Sequence, residues 1–316
     1  MFSYRHAFHA GNHADVLKHM VLIATLDYLL EKDAALTVVD SHAGAGLYRL
    51  DGDYAGTSGE AAEGVLRLLS PAAEAPAEPG TKASPGAAAR AKALAEPAPA
   101  LARYLDVLKD FNPKGGARVY PGSPFIAHHL LRDHDKLKLF ELHPTDAKTL
   151  DANIAQLEAG RQIAVLREDG FGSATKFLPP PSRRALLLCD PSYEIKSDYG
   201  RVLDLVGESL KRFATGTYAV WYPIIPRPEA HDLPRRLKTL ATKAGKPWLH
   251  ATLTIKSSKL HATPTGETKR PGLPASGMFL INPPYTLKAA LQPALEQLKL
   301  LLAQDRHASF TLEAGG

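Results

Sequence analysis

Short apolar runs that end in an acidic residue or lead into one, separated by stretches of helical spacing, constrain this chain more than any other feature. Leu36-Thr37-Val38-Val39-Asp40 is the first, and its length and β-branched residues favour strand over helix. Similar runs follow at about 137–141 (LKLFE), 163–167 and 184–189. Between them, Ser123 suits an N-cap and Pro124 the first position of a helix reaching about Arg132, and 198–213 reads as another helix. Strands alternating with helices imply crossover units and a mostly parallel, doubly wound α/β sheet. Downstream, 215–225 is expected as a strand, 231–245 as a basic helix, and 248–257 and 277–282 as two closing strands. A last helix at 287–303 has Leu287, Leu291, Leu295, Leu298 and Leu302 facing the core.

The pattern breaks once. Residues 71–100 are dominated by Ala, Pro and Gly, with Leu94 the only large aliphatic residue, too little apolar surface to offset ordering entropy, so a flexible loop is expected. Elsewhere, 45% hydrophobic and 22% charged residues support a sizeable core and exclude wholesale disorder. A length of 316 residues fits one large α/β domain with an insertion, or two units. Cys189 is the single cysteine, which excludes an internal disulfide and a cysteine metal cage and suggests a reducing, cytoplasmic setting. The start, MFSYRHAFHAGNHADVLKH, lacks the apolar core of a signal peptide, and no run nears the ~20 residues of a membrane span. No membrane partner and no obligate protein partner are expected. A net charge of +5 and a pI near 9.1 suit a polyanionic partner.

Ligands of open α/β sheets bind outside the carboxyl ends of the strands. After the first strand comes Asp40-x-His42-x-Gly44-x-Gly46, whose glycines let the backbone approach a ligand closely. The third glycine of a dinucleotide fingerprint would fall at Arg49, which disfavours a nicotinamide-dependent oxidoreductase. Glu141 is placed to accept hydrogen bonds from a ribose diol, and Asp169 one from an adenine amino group. Taken singly, each acid is more readily a loop residue or helix cap; in this order at successive strand ends they outline a nucleoside pocket. The tetrad Asp190-Pro191-Ser192-Tyr193 then closes the fourth strand. An exocyclic adenine amine is a poor nucleophile, so methyl transfer to it needs acceptors that orient the NH₂ and take up its developing positive charge. A carboxylate and a backbone carbonyl stiffened by proline supply both, and Tyr193 offers a face for an unstacked base. The alternative is an ordinary proline turn.

A second tetrad, Asn282-Pro283-Pro284-Tyr285, follows the last predicted strand. If that strand is antiparallel, its end lies on the opposite rim, and a structural turn is expected. His6, His9, His13, His19 and His42 crowd the first 42 residues without H-E-x-x-H or Cys-His spacing, so no metal is expected. Basic groups at Arg183-Arg184, Lys211-Arg212, Arg235-Arg236-x-Lys238, Lys256 with Lys259, and Lys269-Arg270 are individually ordinary surface and collectively able to hold phosphates. The segment 258–275 is expected as an RNA-facing loop.

Together, MFSYRHAFHAGNHADVLKH, VVDSHAGAGLY, VYPGSP, FELHP, EDGF, CDPSYEIKSDY, RFATGTYAVWYP and ASGMFLINPPY resemble the RlmJ family of 23S rRNA adenine-N6 methyltransferases over nearly the whole chain except about 70–100. The resemblance implies a class I S-adenosylmethionine-dependent methyltransferase fold, Rossmann-like, with a mostly parallel seven-stranded sheet and a small helical insertion after the first strand. Residues 1–47 would hold the N-terminal segment and first strand, 48–118 the insertion with its flexible loop, and 119–316 the remainder. The insertion accounts for Glu141 lying 101 residues beyond Asp40. Carried over, the resemblance places His19, His42, Ser123, Glu141, Asp169, Gly170 and Asp190 around S-adenosylmethionine, with Lys18 added from its place beside His19. Asp190 is the implied proton acceptor, with Pro191 and Tyr193 beside it, and Tyr4 contacts the RNA substrate. The implied reaction is in-line methylation of N6 of an unstacked adenine in 23S rRNA, adenine 2030 in the family, on unassembled or partly assembled RNA rather than the mature subunit. The family motif is usually Asp-Pro-Pro-Tyr; here its third position is Ser192, which predicts a less rigid turn. Two rival readings are a DNA adenine-N6 methyltransferase, which would share the pocket, and a non-catalytic RNA-binding ribosome-assembly factor, motivated by Ser192 and by His42 where a glycine is expected.

Overall fold

The computed structural model describes residues 6–51, 59–69, 85–258, 261–262, 268–269 and 272–316. The apolar runs become β1 (Thr37–Asp40), β4 (Lys136–Phe140), β5 (Ile163–Leu166), β6 (Ala185–Cys189) and β7 (Thr217–Ile224), all parallel. Three further strands, β8 (Trp248–Thr254), β11 (Ala275–Ile281) and β12 (Ser309–Gly315), complete the sheet through antiparallel pairs. The order across the sheet is β5-β4-β1-β6-β7-β11-β8-β12. The chain order reverses between β1 and β6, which makes the crevice at their carboxyl ends the natural ligand site of a Rossmann-like sheet.

The sheet has eight strands, one more than expected. β12 was not legible because it is an edge strand: Phe310 and Leu312 are its only large apolar residues, and it alternates between half-buried and exposed positions. Central strands are covered on both faces and read as unbroken apolar runs. Leu186 and Leu188 join one core with Val38 and Leu139, whereas Leu187 and Cys189 join the other with Val39 and Phe140, the period-two alternation of a strand.

The first core is completed by α1 (His13–Leu30), α5 (Ser123–Leu130), α6 (Pro144–Ala155) and α10 (Leu287–Leu302). The second lies under α8 (Ser197–Arg212) and α9 (Pro228–Lys243). Helix α1 has no polar face. Its first half is buried all round, and its N-terminus is capped by Asn12, whose Oδ1 accepts from Ala14 N at 2.9 Å and Asp15 N at 3.0 Å.

The chain leaves the sheet layer through β2 (Leu47–Arg49) and returns through β3 (Val119–Pro121), which pair antiparallel. Between them stand α2 (Val65–Leu69), α3 (Pro85–Ala95) and α4 (Pro99–Asp110); α4 packs on α1, and all three touch α10. The loop expected at 71–100 is therefore corrected over its second half. Pro85 and Pro99 stand at first helical positions, and Ala-rich sequence of high helix propensity follows Pro85. Residues 71–84 lie outside the described residues.

Two short strands, β9 (His261–Ala262) and β10 (Thr268–Lys269), pair antiparallel within the segment expected to face RNA. Residues 259–260, 263–267 and 270–271 of that segment are not described. No helix among the described residues is long and apolar enough to cross a membrane.

Candidate active site

The parallel register brings Asp40 level with Leu139 on one side and Leu188 on the other. Residues 42, 141 and 190 therefore emerge together at the rim, and a cleft opens there. It is lined by Lys18, His19, His42, Ser123, Glu141, Asp169, Gly170, Asp190 and Pro191, among others. Every side chain expected at the methyl donor thus lines one cavity. Tyr4 lies outside the described residues.

The glycine-rich turn after β1 is held by its neighbours. Gly44 has φ +61°, and a Cβ there would run into the Tyr48 hydroxyl, so glycine is required. Its N–H donates to Glu141 Oε2 at 2.8 Å, while His143 N donates to Oε1 at 2.7 Å. Each carboxylate oxygen keeps a second lone pair for a diol. Burial raises the Glu141 carboxyl above its usual range, against the pull of these two N–H groups. Asp40 is fully buried, and its carboxyl is pushed up to about 6 by desolvation, although Ser123 Oγ donates to it at 2.6 Å and His42 N at 3.2 Å. Burial lowers His42 to about 4, so its ring is neutral near pH 7; it shares a 2.8 Å hydrogen bond with Ser41 Oγ and stands edge-on to Phe171 at 4.5 Å. His19 is held neutral by burial and by the charge of Lys18, and its Nδ1 lies 2.7 Å from the Tyr120 hydroxyl.

After β5, Asp169 caps the one-turn helix α7 (Gly170–Ser173), accepting from Phe171 N at 3.1 Å. Gly170 is packed against the backbone of Ser41, leaving no room for a side chain. Asp169 also pairs with Arg201 of α8, whose guanidinium stacks 4.2 Å from the Phe171 ring. Arg201, Phe171 and the exposed Leu142 line the cleft and were absent from the sequence reading. Leu142 had a signal, being a large apolar residue directly after a strand-end acid. Arg201 had none, since its partner is 32 residues distant.

At the end of β6, Asp190 Oδ2 pairs with the buried ammonium of Lys18, which also lies 2.9 Å from Asp15 Oδ1. Burial alone would lower the Lys18 pKa; the two carboxylates hold it raised and the group charged. Asp190 Oδ1 and the Pro191 carbonyl accept no hydrogen bond from the described residues. Tyr193 departs from expectation. It is 2% exposed and does not line the cleft; its ring packs against Tyr199 and Trp221, its hydroxyl donates to Trp221 O at 2.7 Å, and Arg227 Nη1 donates to its carbonyl at 2.8 Å. The base-stacking role is corrected to that of an anchor, which holds a left-handed turn at φ +54°. The apolar residue that the turn does offer to the cleft is Ile195, 64% exposed.

The other tetrad is a turn on the far rim. Asn282, at φ +53°, donates from Nδ2 to Gly216 O at 2.7 Å and to Ala214 O at 3.0 Å. Among the described residues no three of His, Cys, Asp and Glu come together as a metal-holding group.

The chain matches the family model described as ribosomal RNA large subunit methyltransferase D, RlmJ, over residues 33–83 and 80–313. It is 39% identical over 315 residues to ribosomal RNA large subunit methyltransferase J of Escherichia coli (strain K12), covering 98% of each chain. The protein of the same name from Haemophilus influenzae is 37% identical over 314 residues, with 99% of this chain and 98% of the other covered. The crystal structure of protein LPL1258 from Legionella pneumophila str. Philadelphia 1 superposes with a TM-score of 0.77 at 30% identity, covering 97% of this chain and 98% of that one. With that match and a sheet that reverses order at the cleft, the chain belongs to the RlmJ family of ribosomal RNA large subunit methyltransferases and carries the Rossmann-like fold of class I methyltransferases.

Proposed function

We propose that this protein methylates the exocyclic N6 of one adenine in 23S rRNA, acting in the cytoplasm on RNA not yet fully assembled into the subunit. The observation that carries the reading is the pair of unfilled acceptors, Asp190 Oδ1 and the Pro191 carbonyl, in the same cleft as Glu141 and Asp169. An NH₂ group has two hydrogens to donate, and two acceptors at adjacent residues fix its plane, so that its lone pair is aligned for in-line transfer.

The cleft fits S-adenosylmethionine, which supplies an electrophilic methyl group when bound. Glu141, with a lone pair spare on each oxygen, would hold the ribose diol. Asp169 and the bare backbone at Gly170 would meet the adenine edge, with Leu142 and Phe171 as apolar surface beside it. Neutral His19 and His42 and the Ser123 hydroxyl supply uncharged polar wall. Lys18 would contribute by holding the Asp190 carboxylate in one rotamer. Asp190 then receives the proton of the methylated amine, whose acidity makes that step easy. Ile195 takes over the apolar contact with the unstacked base that Tyr193 is too buried to make. Tyr4 is proposed to contact the RNA.

The test is to offer the protein labelled S-adenosylmethionine with deproteinised 23S rRNA, assembled large subunits or duplex DNA, and to identify the modified nucleoside by mass spectrometry. N6-methyladenosine on free rRNA is the expected product. Methylation of DNA alone would transfer the reading to the DNA enzymes, and donor binding without any product would favour an assembly factor. Asp190→Ala should bind donor yet lose turnover by about 10³-fold, the size of effect seen when a charge-stabilising group is removed.

A further inference from the structure

Asp15 lines no part of the cleft, yet it touches two residues that do. It is 2% exposed, in the first turn of α1. Its Oδ1 takes the Lys18 ammonium at 2.9 Å, and its Oδ2 accepts from Gly11 N at 2.9 Å and His6 Nε2 at 2.9 Å. Lys18 and His6 both line the cleft. An acid in the first helical turn is commonly explained by the helix dipole. Here Asn12 already serves the helix N–H groups, whereas the Asp15 side chain reaches back to the turn before the helix and along it to Lys18. Desolvation would raise the Asp15 carboxyl, but the attractions of His6 and Lys18 outweigh it and hold the group well below the usual range.

We infer that Asp15 is a positioning residue for the methyl transfer: by sharing the Lys18 ammonium it keeps Lys18 on Asp190 Oδ2 alone, leaving Oδ1 for the substrate amine, and it fixes His6 at the mouth of the same cleft. An ammonium has three donors and a flexible stem. With Asp190 as its only carboxylate, Lys18 would close over both oxygens and compete with the amine. Tethered by Asp15 three residues earlier on the same helix, it reaches only one. The inference rests on the reading of Asp190 given above.

The test is a double-mutant cycle on the full chain between Asp15→Asn and Lys18→Met, read as kcat on rRNA, donor Kd by calorimetry and midpoint of thermal unfolding. Asp15→Asn keeps the size and one acceptor oxygen but loses the charge. It should lower kcat by about 100-fold, the effect of misplacing a reacting group by about 1 Å, with donor Kd unchanged. The double variant should lose no more than Lys18→Met alone. A kcat within twofold of the parent, or losses that multiply in the double variant, would refute the positioning role and leave Asp15 a structural ion pair. Should Asp15→Asn be insoluble, Asp15→Glu, which keeps the charge but shifts it by one carbon, carries the same cycle with the same criteria. A parent protein that makes no N6-methyladenosine overturns the proposed function instead, so the two failures are distinguishable.

Discussion

Gly170→Ala adds one methyl group at the place where the turn after β5 meets the turn after β1. A Cβ on Gly170 would stand 2.8 Å from the carbonyl carbon of Ser41 and 3.0 Å from its Cα, with the carbonyl oxygen nearer still, whereas ordinary contact begins at 3.4 Å. Ser41 cannot retreat, because its N–H and its hydroxyl both donate to Leu188 O, at 3.0 and 3.1 Å. The Asp169 turn must move instead, by about 1 Å, and a shift of that size at a positioned group costs on the order of 100-fold. We expect the affinity for S-adenosylhomocysteine to fall by that factor, or about 3 kcal/mol. Stability should drop by about 1–3 kcal/mol, as for other overpacked sites. The control lies two residues on: a Cβ at Gly172 meets nothing within 4 Å, so Gly172→Ala should be neutral in both assays. Calorimetric titration and thermal unfolding of the three proteins decide the matter. Parental affinity in Gly170→Ala would show that the two turns do not jointly form the donor site.

Three further outcomes are expected. The Asp40 carboxyl, at about 6 when folded and near 3.9 when unfolded, binds more protons in the native state between about pH 4 and 6, so its contribution is present below pH 4 and lost as pH rises through 6. Urea unfolding of Asp40→Asn against the parent should accordingly show a relative gain of up to about 3 kcal/mol from pH 4 to 7, and a difference independent of pH would refute the assignment. Tyr193→Phe removes the hydrogen bond to Trp221 O and should destabilise by about 1 kcal/mol with little change in base affinity; strong loss of RNA binding at unchanged stability would restore the stacking role. Asn282→Ala strands the carbonyls of Ala214 and Gly216 and should cost about 1–3 kcal/mol of stability, with kcat per folded molecule unchanged.

The central strands were legible because burial on both faces leaves a continuous apolar signature, and the acids at their ends were legible because β6, β1, β4 and β5 are parallel neighbours. β12 was hidden by its half-exposed alternation, and α3 by the Ala- and Pro-rich composition that also marks loops. Within the cleft, Glu141 and Asp190 could be read from their places after strands, whereas Arg201 in its wall and Asp15 behind it owe their positions to contacts made only after folding. Tyr193 was misjudged for a physical reason: a tyrosine following a proline turn is equally able to face a ligand or to brace the turn, and sequence alone does not give the sign of φ that decides it.

Helix α1 is a rod of 18 residues, about 27 Å long. The inserted α4 grips one flank, the sheet supports another, and Lys18 projects from it to Asp190. A slide of the rod by a single residue step, about 1.5 Å, is enough to pull that ammonium off the carboxylate. The stiffness of chemistry at the rim is therefore borrowed from packing on the opposite flank of the rod, and loosening the α1–α4 seam would blur the reaction without altering any group that touches a reactant.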